Sequence, residues 1–111
     1  MSAMSRRKGA TGERELIGLL RDWLGDLPGL CRNLDQVRDG GCDIRLPGYA
    51  VEVNRAERFL SRWLEQAETQ SDGDVPVVAW RRNGGRWRCL VVLDVDGFAE
   101  TVRERLGEAK V

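Results

Sequence analysis

The residue pattern predicts an α/β domain in which a central mixed sheet of about five strands is flanked by helices. Two kinds of signal carry that prediction. Apolar residues recur at helical spacing in residues 11–24, 57–70 and 97–109, while short apolar runs bounded by glycine, proline and asparagine lie between them. The order is helix, a strand group containing a hairpin, helix, two strands, helix, and such alternation packs as layers around one sheet.

Residues 1–10, with Arg6-Arg7-Lys8, read as a basic N-terminal arm, and residues 11–111 as a single domain. The first helix is expected to start at Thr11 or Gly12 and to bury Leu16, Ile17, Leu20, Trp23 and Leu24, with Gly25 near its end. Glu13 shares that stripe. A carboxylate there either serves a site or compensates the helix dipole in the first turn. Arg14 points toward the flank of the stripe. After Pro28-Gly29, residues 30–34 read as a short strand and residues 35–41 as a polar, glycine-ended loop. Residues 42–46 and 49–53 flank Pro47-Gly48, a residue pair suited to a tight turn, and read as a β-hairpin. The second helix, 57–70, buries Leu60, Trp63, Leu64 and Ala67, with Gln66 beside that stripe. Residues 75–80 and 87–93 read as strands joined through Asn83-Gly84-Gly85, and the last helix carries Phe98, Ala99, Val102 and Leu106.

Composition narrows the chemistry. The 111 residues suit one modest core, and 41% apolar with 32% charged residues is ordinary for a soluble globular chain. No apolar run approaches the ~20 residues of a membrane span, and the polar, basic start is not a signal peptide, so a cytoplasmic protein without membrane contact is expected. The three cysteines lack the spacing of a disulfide framework or zinc site and are expected as small buried residues. The four tryptophans suit core or interface packing. There is no histidine. That excludes Ser-His-Asp and Cys-His catalysis and imidazole-ligated metals, leaving oxygen ligands and a hard ion such as Mg²⁺ or Mn²⁺. Net charge is zero, yet sixteen of the eighteen basic residues are arginine, clustered at Arg6-Arg7-Lys8, at Arg55, Arg58 and Arg62, and at Arg81, Arg82, Arg86 and Arg88. Arginine suits bidentate phosphate contacts, although such clusters alone are equally consistent with solvated faces. Acidic residues gather toward the C-terminus, from Asp94 to Glu108.

With Pro47 and Gly48 as the two loop residues, Leu46 should face Tyr49, Ile44 should face Val51, and Asp43 should lie opposite Glu52. Directly opposed like charges destabilise a sheet, so a bound cation is the expected reconciliation; a bulge would instead shift the register. Period-two geometry places Glu52 and Asn54 on one face and Val51 and Val53 on the other.

Glu13 on the first helix, Asp43 entering the hairpin and Glu52-Val53-Asn54 on the next strand resemble the PD-(D/E)XK nuclease superfamily. Arg7-Lys8-Gly9-Ala10 followed by Glu13-Arg14-Glu15-Leu16-Ile17 is similar to the opening of archaeal Holliday junction resolvases, and Gln36-x-Arg38-x-Gly40-Gly41-x-Asp43 resembles a loop of related small phage resolvases. The resemblance implies a restriction-endonuclease-like fold and a homodimer that binds four-way or other branched DNA and cuts it with Mg²⁺, for which Mn²⁺ substitutes. Carried over by position, Asp43, Glu52 and Val53 are the metal ligands. Glu13 completes the acidic cluster, and Asn54 takes the last catalytic position. Arg6, Arg7, Lys8, Arg14, Arg32, Arg38, Arg55 and Gln66 are candidates for contact with nucleic acid.

One departure stands out. The family's lysine is replaced by Asn54, and the chain's only lysines are Lys8 and Lys110. Lysine there would orient the attacking water and offset developing charge. Either asparagine suffices with help from Arg55 or Arg58, or the chain binds branched DNA without cutting it, or Asn54 is a deliberate replacement of lysine.

Overall fold

A computed structural model describes residues 3–36 and 40–109, with side chains for residues 10–36 and 40–107. Its elements are α1 (Ala3–Leu24), β1 (Cys31–Arg32), β2 (Ile44–Leu46), β3 (Tyr49–Arg55), α2 (Arg62–Gln70), β4 (Val75–Arg81), β5 (Arg88–Val91) and α3 (Val95–Ala109). The strands form one five-stranded mixed sheet in the order β1-β2-β3-β4-β5, antiparallel except for the central β3–β4 pair, which α2 connects. The α/β architecture expected from the pattern is present.

The hairpin turn explains why the sequence settles its own register. Gly48 adopts φ +83°, the left-handed value that the third residue of a Pro-Gly turn needs and that a side chain disfavours. Leu46 then faces Tyr49 and Ile44 faces Val51, as expected. The next step differs. The ladder stops at Ile44, and the Asp43 N–H donates to the Val51 carbonyl at 3.0 Å, so Asp43 is offset by one position from a simple continuation.

Each sheet face has its own cluster. Leu16 and Ile17 of α1 cover Ile44, Val51, Val77 and Ala79, with Val53 and Trp87 at the margin. Trp63 and Ala67 of α2 cover Val78, with Phe59, Leu64 and Trp80 around them. Val51 and Val53 thus face α1, and the alternate residues Glu52 and Asn54 lie beside Val78 and Trp80 on the α2 side. Ile44 and Val78 are fully buried, each worth about 2–3 kcal/mol of apolar transfer.

Several expectations are corrected. The first helix begins at Ala3, well before Thr11, and its last turn extends past the strands it covers, so Trp23 and Leu24 are exposed. The second helix starts only at Arg62, leaving Leu60 in the preceding turn. Cys42 is buried as expected, but Cys31 and Cys89 are exposed, because β1 and β5 are the two edge strands. The stripe of α3, expected to pack, leaves Phe98, Val102 and Leu106 exposed. Among the described residues, no helix is long and apolar enough to cross a membrane.

Candidate functional site

The fold gathers three of the expected acidic residues where β2 begins. Glu52 is 5% exposed in the middle of β3, beside the fully buried Val78 of β4. Burial, first of all, and then the Asp43 carboxylate beside it push its carboxyl up to about 8. The closeness of the two carboxyls and the charge of Glu13 add to the rise. Burial also raises Glu13, against the hydrogen bond and charge of Arg32, whose Nε donates to Glu13 Oε1 at 2.9 Å. The like charges that the hairpin pattern anticipated therefore do meet, and the raised Glu52 carboxyl is the mark of their proximity.

Asp43 is fixed from two directions. The Val53 N–H donates to Oδ2 at 2.8 Å, and Gln36 Nε2 donates to Oδ1 at 2.7 Å. The segment leading to Asp43 is held equally firmly. Asn33, buried, donates to the carbonyls of Gly40 and Cys42, and the Gly41 N–H donates to Gln70 Oε1 at 2.8 Å. Gly41 sits at φ +94° with the Asn33 amide so near that an added Cβ would lie 3.2 Å from Nδ2. Both the dihedral and the close approach require glycine there. The sequence reading placed weight on Gln66, which is exposed on α2, whereas the glutamine that reaches this loop is Gln70, one helical turn later.

A divalent cation is tested by the donors present. Glu52 Oε1 is buried without a hydrogen-bond partner among the described residues, and Asp43 lies beside it. Two carboxylates of this kind, completed by water, fit a small hard cation such as Mg²⁺. Glu13 does not complete a third ligand here, since Arg32 engages it, and among the described residues no group of three acidic, cysteine or histidine side chains has the arrangement of a metal site.

The basic residues divide. Arg14 is exposed on α1, and Arg32 is committed to Glu13 rather than presented outward. Arg55, half-buried at the end of β3, donates to Asn83 Oδ1 at 3.2 Å. The side chains of Arg6, Arg7 and Lys8, and the whole of Arg38, lie outside the described residues. Asn54 is half-buried beside Trp80, on the same sheet face as Glu52.

The sequence reading missed a second carboxylate centre. Glu15, two residues after Glu13 in the same helix, accepts from Trp87 Nε1 at 2.7 Å and from Arg81 Nη2 at 3.1 Å, with Arg81 Nε at 2.8 Å completing the ion pair. Burial raises its carboxyl, but these bonds and the charges of Arg81 and Arg55 outweigh that and hold it below the usual range. Its signal was present as one more acid within the Glu13-Arg14-Glu15 block. Beside it, a cleft of about 470 Å³ is lined by Trp80, Arg82, Arg86, Trp87 and Arg88. Arg82 lies over the Trp80 ring, and Arg82, Arg86 and Arg88 are exposed. A larger cleft of about 650 Å³, between the hairpin turn and the end of α2, excludes Asp43 and Glu52 and is lined by Arg45, Asp72 and Asp74 among mostly uncharged residues. No protein-family model, curated protein or solved structure matches this chain.

Proposed function

We propose that the chain is a structure-selective endonuclease of the Holliday junction resolvase kind, hydrolysing DNA phosphodiesters with Mg²⁺ held by Asp43 and Glu52. The observation that carries the reading is the buried Glu52, with its unpartnered Oε1, set beside the half-buried Asp43, because a chain gains nothing in stability by drawing two carboxyls together away from water. A cation bound there would polarise a phosphoryl oxygen and lower the pKa of its water. The protein's own part is to hold Asp43 in place beside Glu52 through Gln36 and the Val53 N–H. Arg55 pairs in register with Arg81, three residues on from Glu52, so a basic surface begins roughly 10 Å along the strands from the carboxylates. Phosphates of a duplex arm leaving the scissile position would meet Arg82, Arg86 and Arg88 there. A twofold dimer would present two such sites to a junction that must be cut twice.

Asn54 favours a second reading, a branched-DNA-binding protein that does not cut, because no lysine stands beside Glu52. Cleavage of a labelled immobile four-way junction by the chain and by Asn54→Lys, with Mg²⁺, Mn²⁺ or EDTA, separates the two. Symmetric metal-dependent cuts by the unmodified chain support the nuclease. Binding alone, with cuts only after Asn54→Lys, supports the binder, and the absence of junction binding by either removes both.

A further inference from the structure

The last helix carries an apolar face that nothing among the described residues covers. A 15-residue helix is marginal on its own in water, yet α3 makes no substantial packing contact with the sheet, α1 or α2 among the described residues. Val95, Phe98, Val102 and Leu106 form one stripe on it, and their exposures are 88%, 56%, 41% and 56%. Val91 and Leu93, immediately before the helix, are exposed as well. Four exposed large apolar residues in register on a single helix mark an interface rather than a solvated face.

The flanks identify the occupant. At about 100° per residue, Asp94 and Arg105 fall on one side of the stripe, and Asp96 and Arg103 on the other. In an antiparallel twofold pairing each flank meets its own copy. Placing Phe98 against Val102 of the second chain sets Val95 within one residue of its Leu106 and Asp94 within one residue of its Arg105. The same shift brings Asp96 beside its Arg103. Both flanks are thus satisfied by one register. Parallel pairing would instead set Asp94 beside Asp96 and Arg105 beside Arg103, like charge against like on both sides. Arg103 now pairs with Glu100 of its own helix, an exposed contact that is exchanged at little cost.

We infer that α3 is a homodimerisation helix, packing antiparallel against α3 of a second copy about a twofold axis near Ala99 and Glu100. Two helices about 22 Å long bury less than the ~1,600 Å² of a standard interface, so the dimer dissociates on dilution unless Val91 and Leu93 add to it. The inference concerns the twofold arrangement named above but stands on α3 alone; its test needs neither DNA nor metal.

The test is sedimentation velocity of the full chain over a hundredfold concentration range. The expected mass is twice 12.5 kDa at the upper end. Val102→Asp should weaken association at least a hundredfold while far-UV circular dichroism of the sheet is retained. Arg103→Asp should weaken it as well, and Arg103→Asp combined with Asp96→Arg should restore it. A monomer at every concentration overturns the inference, as does a dimer indifferent to Val102→Asp. A dimer that Arg103→Asp weakens and the charge exchange fails to restore overturns the antiparallel register.

Discussion

Glu52→Gln should make the protein more stable, and most of all in mild alkali. The side chain is 5% exposed and its carboxyl moves from the ordinary 4.5 to about 8 on folding. Below the lower value both folded and unfolded chains hold the proton, and nothing is lost. Between the two values the folded chain keeps a proton that the unfolded chain releases, so stability falls as pH rises; beyond the upper value the loss is complete. At about 1.4 kcal/mol for each pKa unit, the loss amounts to at most about 4–5 kcal/mol, a large part of a small domain's total. Burial raises Glu13 too and adds in the same direction. Glutamine fills the same volume, never ionises, and retains a donor toward Asp43. The expectation is therefore near-equality with the wild type at about pH 5 and a gain of about 2–4 kcal/mol at about pH 8.5. Urea denaturation in EDTA, followed by tryptophan fluorescence, measures it. A wild-type stability that is flat or rising over that range, or a Glu52→Gln profile parallel to it, would refute the reasoning from the buried Glu52.

The remaining predictions address the site and its surroundings. Asp43→Asn should reduce metal-dependent cleavage by ~10²-fold or more while junction binding in EDTA changes less than about threefold, as read by a cleavage gel beside a mobility shift. Under the same assay Asn54→Lys should raise the cleavage rate, by up to ~10²- to 10³-fold if it supplies a missing transition-state contact. Replacing Arg82, Arg86 and Arg88 together by alanine should lower the slope of log affinity against log salt by about 2–3, and an unchanged slope would place the duplex elsewhere. Gln70→Ala removes the acceptor of the Gly41 N–H and should cost about 1–2 kcal/mol, with faster hydrogen exchange at that amide as its local signature.

Local rules carried the hairpin, and long-range ones did not carry what surrounds it. Pro47-Gly48 sets its own turn, so the pairing of residues 44–46 with 49–51 was legible, as was the alternation that separates Glu52 from Val51. The meeting of Asp43 and Glu52 was legible for the same reason, although the offset at Asp43 depends on contacts made by Asn33 and Gln36. Gln70 and Glu15 were not found because their partners lie far off in sequence, at Gly41, Arg81 and Trp87. Periodicity likewise told that Trp23 and Phe98 share a stripe with apolar neighbours, but not that Trp23 stays exposed or that nothing among the described residues covers Phe98. An amphipathic pattern says that a face wants company, not where the company comes from.

The shape of the sheet's rims bears on how copies of this chain meet. One rim is β1, which pairs over Cys31 and Arg32 alone, and the other is β5, four residues opening on Arg88. A two-residue rim offers almost no backbone for strand-by-strand growth, and a short rim headed by a cation resists it. Crowded copies therefore lack a route to open-ended stacking through their sheets. Association through a single self-complementary helix stops at a pair, because once two are joined the adhesive surface is used up.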